Sequence, residues 1–257
     1  MGISHGALDH IKGKKLLKLL NYKSTSTFYI LYIFVGLSII LLWLLFSKIL
    51  LLIFLIVASY HFGKEDSAFI SKNKNFELIY LFKGCLVITS PLLFHKNETL
   101  SIFKSLNFDI SGNILINNEI LYLFILLSFV ANIIVSLNKS FESKSLLLMD
   151  FLSILILNYF LNPIIAFTIY FCFLHSIRHS ISLIKDINKN IKKGLPIFLK
   201  KAMPLTIITA LAYLFSLFFL NNYYELNEAI YKVIFIGLAS LTFPHILLEY
   251  LIEKNER

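Results

Sequence analysis

The sequence predicts an all-α fold: a polytopic transmembrane helical bundle of about eight spans, plus a short or half-spanning N-terminal helix. Three observations carry this expectation. Of 257 residues, 58% are hydrophobic and only 15% charged. A soluble domain normally has ~45–50% and ~25%. The apolar residues fall into runs at about 28–46, 49–62, 77–94, 119–137, 146–161, 163–184, 204–221 and 229–250. Most are near the ~20 residues that carry a helix across hydrocarbon. The basic residues also take sides. If the runs alternate from a cytoplasmic N-terminus, 18 of the 24 Lys and Arg lie in inner segments and three in outer ones. That is the positive-inside bias of a multi-pass protein of the cell (inner) membrane with both termini cytoplasmic.

The elements follow in order. Residues 1–27 are polar and basic, but Leu16, Leu17, Leu19 and Leu20 predict a short helix on or partly in the membrane surface. Ser47-Lys48 predicts a tight turn between the first two runs. Asn162-Pro163 separates the fifth and sixth, because proline ends one helix and suits the start of the next. Pro244 should kink or loosen the last run. Residues 95–118 read as a polar outer loop without a function. No repeat, low-complexity segment or linker divides the chain, so residues 1–257 read as one domain. No apolar region precedes Lys12, so no cleavable signal peptide is expected.

Composition also narrows the function. The net charge of +9 is not a nucleic-acid signal, because 22 of the 24 basic residues are Lys and most flank apolar runs. Cys85 and Cys172 sit in apolar segments, read as packing residues, and imply no disulfide.

The polar exceptions are more informative. His175, Arg178 and His179 interrupt the run from Pro163 to Ile184. Charged and ionisable groups are costly in hydrocarbon and need partners. His175 and His179, four residues apart, share one face of a helix. That spacing suits two imidazoles on one metal ion, although a hydrogen-bonded histidine pair has the same spacing. Arg178 calls for a carboxylate, with Asp66, Glu249 and Asp150 as candidates. His61 closes the second run, with Asp66 or Glu65 placed to accept from its ring. The plain alternative is an interfacial histidine beside a charged loop. Asp9 stands four residues after His5 and could orient that imidazole through its N–H. The plain alternative there is a solvated tail. His245 and Glu249 are four apart and could face the same site, or form an ordinary hydrogen-bonded pair. Under the alternating topology, His5, His10, His61, His175, His179 and His245 share one depth, and His95 lies at the other end.

Together these segments resemble the Brp/Blh family of bacterial and archaeal β-carotene 15,15′-dioxygenases. The matching pieces are HGALD at 5–9, HFGxxD at 61–66, YFCFxHSxRH at 170–179 and FIGLASLTFPH at 235–245. The resemblance implies an integral membrane enzyme that uses Fe(2+) and dioxygen to split the central 15,15′ double bond of β-carotene into two retinal molecules. By motif, it places the metal ligands at His5, His61, His175 and His179. Family members usually carry an apolar half-helix before HGALD, whereas this chain begins at Met1. Asp9, Asp66 and Arg178 would support the ligands, with His245 and Glu249 near the site. Membrane lipid surrounds such an enzyme, and a retinal-binding rhodopsin is a candidate functional partner.

The chemistry is consistent with that implication. Neutral imidazoles suit ferrous iron, and a long apolar polyene suits a membrane-embedded site with few polar groups. Three rival readings remain. A histidine-box desaturase or hydroxylase needs more HxxxH or HxxHH boxes than the one found here. A proton channel or transporter could use the same buried His, Arg and carboxylates as a relay, but paired Gly/Pro-broken helices are nearly absent. A bis-histidine haem carrier needs fewer inner histidines than the chain has.

Overall fold

The computed structural model describes residues 6, 8–22, 24–70, 76–109 and 116–256. Regular structure among them is helical: α1 (Asp9–Leu19), α2 (Thr25–Glu65), α3 (Glu77–Phe94), α4 (Lys96–Ser105), α5 (Asn118–Ser136), α6 (Phe141–Phe160), α7 (Pro163–Ile169), a π-helical turn (Tyr170–His175), α8 (Ser176–Ile187), α9 (Ile191–Leu220) and α10 (Leu226–Asn255). Seven helices among the described residues are long and apolar enough to cross a membrane, with α7, the π-turn and α8 acting as one of 25 residues. The chain is therefore a polytopic helical membrane protein.

α2 is 41 residues long, or ~60 Å, about twice the hydrocarbon thickness. At Phe46 its backbone leaves helical geometry, with φ −135° and ψ 46°. The expected turn at Ser47-Lys48 is thus a one-residue break, and two apolar helices of ~20 residues follow each other without a loop. This reconciles seven helices with about eight expected spans.

Side-chain caps fix several starts. Asn162 Oδ1 accepts from Ile165 N at 3.0 Å, and Pro163 takes the first helical position of α7. Asn190 Oδ1 accepts from Lys192 N at 3.0 Å at the start of α9. These caps satisfy amides that a helix start leaves open. α10 continues through Pro244. The stretch 95–118, expected to be a polar loop, contains α4. Its Ile102 and Phe103 and the following Leu106 are buried, and Thr99 Oγ1 donates to Pro91 O at 3.1 Å. The amphipathic spacing of Thr99, Ile102, Phe103 and Leu106 explains why a polar composition still packs.

Contacts divide the chain into two compact units, Met1–Leu50 with Leu183–Arg257, and Leu51–Ser182. In the first, α1 packs on α10. Leu16 and Leu17 join Phe28, Leu248 and Ile252 in a buried cluster, while Leu19 and Leu20 are exposed. Leu8 joins a second cluster with Leu183, Ile184, Phe198 and Ala202. In the second unit, α3 packs on α5 and α6, and α6 packs on α7. The end of α2 meets α3 backbone to backbone. A Cβ at Gly63 would sit 1.8 Å from Tyr80 O, and one at Gly84 would sit 1.8 Å from Ser59 O. Only glycine allows that approach.

Candidate metal centre

In the second unit, His175 at the end of the π-turn and His179 on α8 are held by the end of α2. His175 is 1% exposed, and its Nδ1 lies 2.8 Å from Asp66 Oδ1. His179 Nδ1 lies 2.9 Å from Glu65 Oε2. Two consecutive carboxylates thus meet two imidazoles one helical turn apart. With a carboxylate at Nδ1, each ring carries its proton there and presents Nε2 as the lone-pair nitrogen. Nε2 of both rings is buried. The His61 and His175 ring centroids are 5.4 Å apart, and His61 is itself buried. Phe62 closes one side of His175 at 4.9 Å, and Phe171 stacks on it at 5.7 Å.

The π-turn explains how His175 and Tyr170 reach the same group. In an α-helix, residues five apart point ~140° away from each other. A π-turn widens the helix, and here Tyr170 Oη donates to Asp66 Oδ2 at 2.6 Å while His175 takes Oδ1. Burial opposes ionisation of Asp66. The neighbouring His175, Lys83 and Tyr170 outweigh it, holding the carboxyl down to about 2. Asp66 is therefore a full acceptor for both donors.

Behind the pair, Arg178 makes a two-point contact with Asp150 of α6, with Nη1 at 2.5 Å from Oδ2 and Nη2 on Oδ1. Of the three candidate partners for Arg178, Asp150 is the one that it meets. The guanidinium also lies over the Phe69 ring at 5.4 Å.

The first unit holds a third pairing of the same kind. His245, 1% exposed, lies with Nδ1 at 2.9 Å from both oxygens of Asp9. Tyr32 Oη donates to Asp9 Oδ2 at 2.7 Å. Glu249 Oε1 is 3.5 Å from His245 Nε2 and 2.5 Å from Lys12 Nζ.

Asp66, expected to serve His61, serves His175, and Glu65 meets His179, because the π-turn and α8 bring those rings to the α2 terminus. Asp9 meets His245, which α1 reaches by packing on α10. The expected ligand His5 lies outside the described residues. Tyr170 and Tyr32 went unread as site residues, since five-residue spacing has no meaning in a regular helix and Tyr32 sits in a uniformly apolar run. Lys83 and Asp150 did carry a signal, as charges within apolar segments.

A multi-span helical bundle with buried, carboxylate-oriented imidazoles defines a polytopic membrane protein with a histidine–carboxylate site. Residues 1–253 match the profile of the family described as Beta-carotene 15,15'-dioxygenase. The chain belongs to that family. A curated relative from uncultured marine bacterium 66A03, named Beta-carotene 15,15'-dioxygenase, is 28% identical over 250 residues, covering 96% of this chain and 88% of the relative. No solved structure matches the chain.

Proposed function

We propose that the chain cleaves β-carotene at its 15,15′ double bond with dioxygen, giving two molecules of retinal, at a single iron held by His5, His61, His175 and His179. Family membership over nearly the whole chain supports the reaction. The observation that carries the metal reading is the pair of imidazoles whose Nδ1 atoms rest on Asp66 and Glu65. Such carboxylate–histidine pairs orient metal ligands and raise their basicity. Neutral nitrogen donors fit ferrous iron. Bound iron would supply the redox capacity that the reaction with dioxygen requires.

The chain's own residues do the rest. Asp66 and Glu65 hold the proton of each ring at Nδ1, so that Nε2 stays a donor of electrons. Tyr170 keeps Asp66 from turning toward another partner. Phe62 and Phe171 cover His175 and exclude water from the imidazole. The apolar outer faces of the spans let an uncharged polyene approach through lipid. The basic residues support an N-terminus and C-terminus on the cytoplasmic side of the cell membrane.

Expression in a β-carotene-producing bacterium tests the reaction. The expected result is loss of the yellow pigment with appearance of retinal, and neither effect for His175→Ala or His179→Ala. Pigment that persists beside well-expressed, folded wild-type protein rejects the reaction.

A further inference from the structure

Behind Asp66, the second unit encloses a small cavity with space of about 10 Å³ for a water-sized sphere. Four charged side chains line it: Asp66, Lys83, Asp150 and Arg178. Asp150 and Arg178 are committed to each other, and Asp66 to His175 and Tyr170. Lys83, buried on α3, acts on Asp66 and Asp150 by charge without a hydrogen bond to either. Asn132 of α5 also lines the cavity and is 7% exposed. Its Nδ2 donates to Ser128 O at 2.9 Å, which fixes the amide's orientation, since a carbonyl can only accept. Its Oδ1 is buried and has no hydrogen-bond partner among the described residues.

A buried acceptor without a donor is costly, and a buried ammonium more so. The cavity's charges are two of each sign, so a neutral guest fits. Its volume matches the ~10–15 Å³ that one water needs. The guest must donate to Asn132 and accept from Lys83, which water does. We propose that this cavity binds one structural water, and that Lys83 and Asn132 act through it as positioning residues for Asp66 and hence for His175. The water site stands on the second unit alone. The positioning role rests on the reading of His175 as an iron ligand.

The test has two arms. In a structure of the wild-type protein at a resolution that shows water, we expect one oxygen within ~3.2 Å of both Lys83 Nζ and Asn132 Oδ1. A dry cavity, or Lys83 bonded directly to a carboxylate, overturns the water site. The second arm loads folded Asn132→Leu and Lys83→Met proteins with cobalt(II) and records the visible ligand-field spectrum beside turnover of the iron-loaded protein. The expected result is a shifted spectrum and a ~10–100-fold loss of turnover. A wild-type spectrum at full metal occupancy overturns the positioning role, whatever the turnover. If Lys83→Met does not fold, Asn132→Leu, which alters no charge, decides this arm. A wild-type protein that binds no metal rejects the iron reading and the positioning role together, while the first arm still decides the water site.

Discussion

At His175 and His179 the ring orientation is set by two consecutive carboxylates, and each can be tested by removal. Asp66→Ala strips the acceptor from both His175 and Tyr170. We expect iron affinity or turnover to fall ~10–100-fold, read by metal analysis and retinal formation. Glu65→Ala should act similarly through His179. Tyr170→Phe should cost less, because the Asp66–His175 contact survives. Equal losses in Tyr170→Phe and Asp66→Ala would mean that Tyr170 acts on substrate rather than on Asp66. The Arg178–Asp150 pair allows a stability test. Asp150→Leu alone leaves a largely buried guanidinium without its carboxylate, at a cost of ~3–5 kcal/mol. The double change Asp150→Leu with Arg178→Met should recover most of that in denaturant unfolding. A double change as damaging as the single one would show that the pair does more than neutralise its own charges.

Among elements, α2 and α3 meet backbone to backbone. Overpacking generally costs ~1–3 kcal/mol. At Gly63 and Gly84 the atoms in the way are backbone carbonyls, which cannot rotate aside. Gly84→Ala should therefore destabilise the fold by at least that amount and lower the folded yield in detergent, and its rescue by a lower growth temperature would fit a packing defect. Unchanged yield and melting temperature would mean that the helices separate freely. Element scale is also where sequence reading succeeded and failed. The apolar runs, the Asn162-Pro163 boundary and the one-face spacing of His175 and His179 are local properties, legible in the chain. Which carboxylate meets which imidazole is not local. Asp9 meets His245 from across the sequence because Leu16 and Leu17 of α1 pack on α10. The π-turn was equally hidden, since Tyr170-Phe171-Cys172-Phe173 reads as any apolar helix. The buried face of α4 was lost in a polar average.

For the whole molecule, the topology is a prediction of its own. The break at Phe46 allows α2 to supply two spans, making the number of crossings even. An enzyme reporter active only outside the cytoplasm should be silent when fused after either terminus and active when fused after Lys96. A signal from the C-terminal fusion would mean an odd number of crossings, and α2 would then count once.

The central claim is a single iron on imidazoles held by carboxylates. The most direct measurement is metal content of the purified, detergent-solubilised chain, set beside its retinal yield from β-carotene. The account predicts close to one non-haem iron per active wild-type chain, with iron and retinal formation lost together in His175→Ala and in His179→Ala. Two irons per chain, haem, or full cleavage by a His175→Ala protein without iron would contradict it.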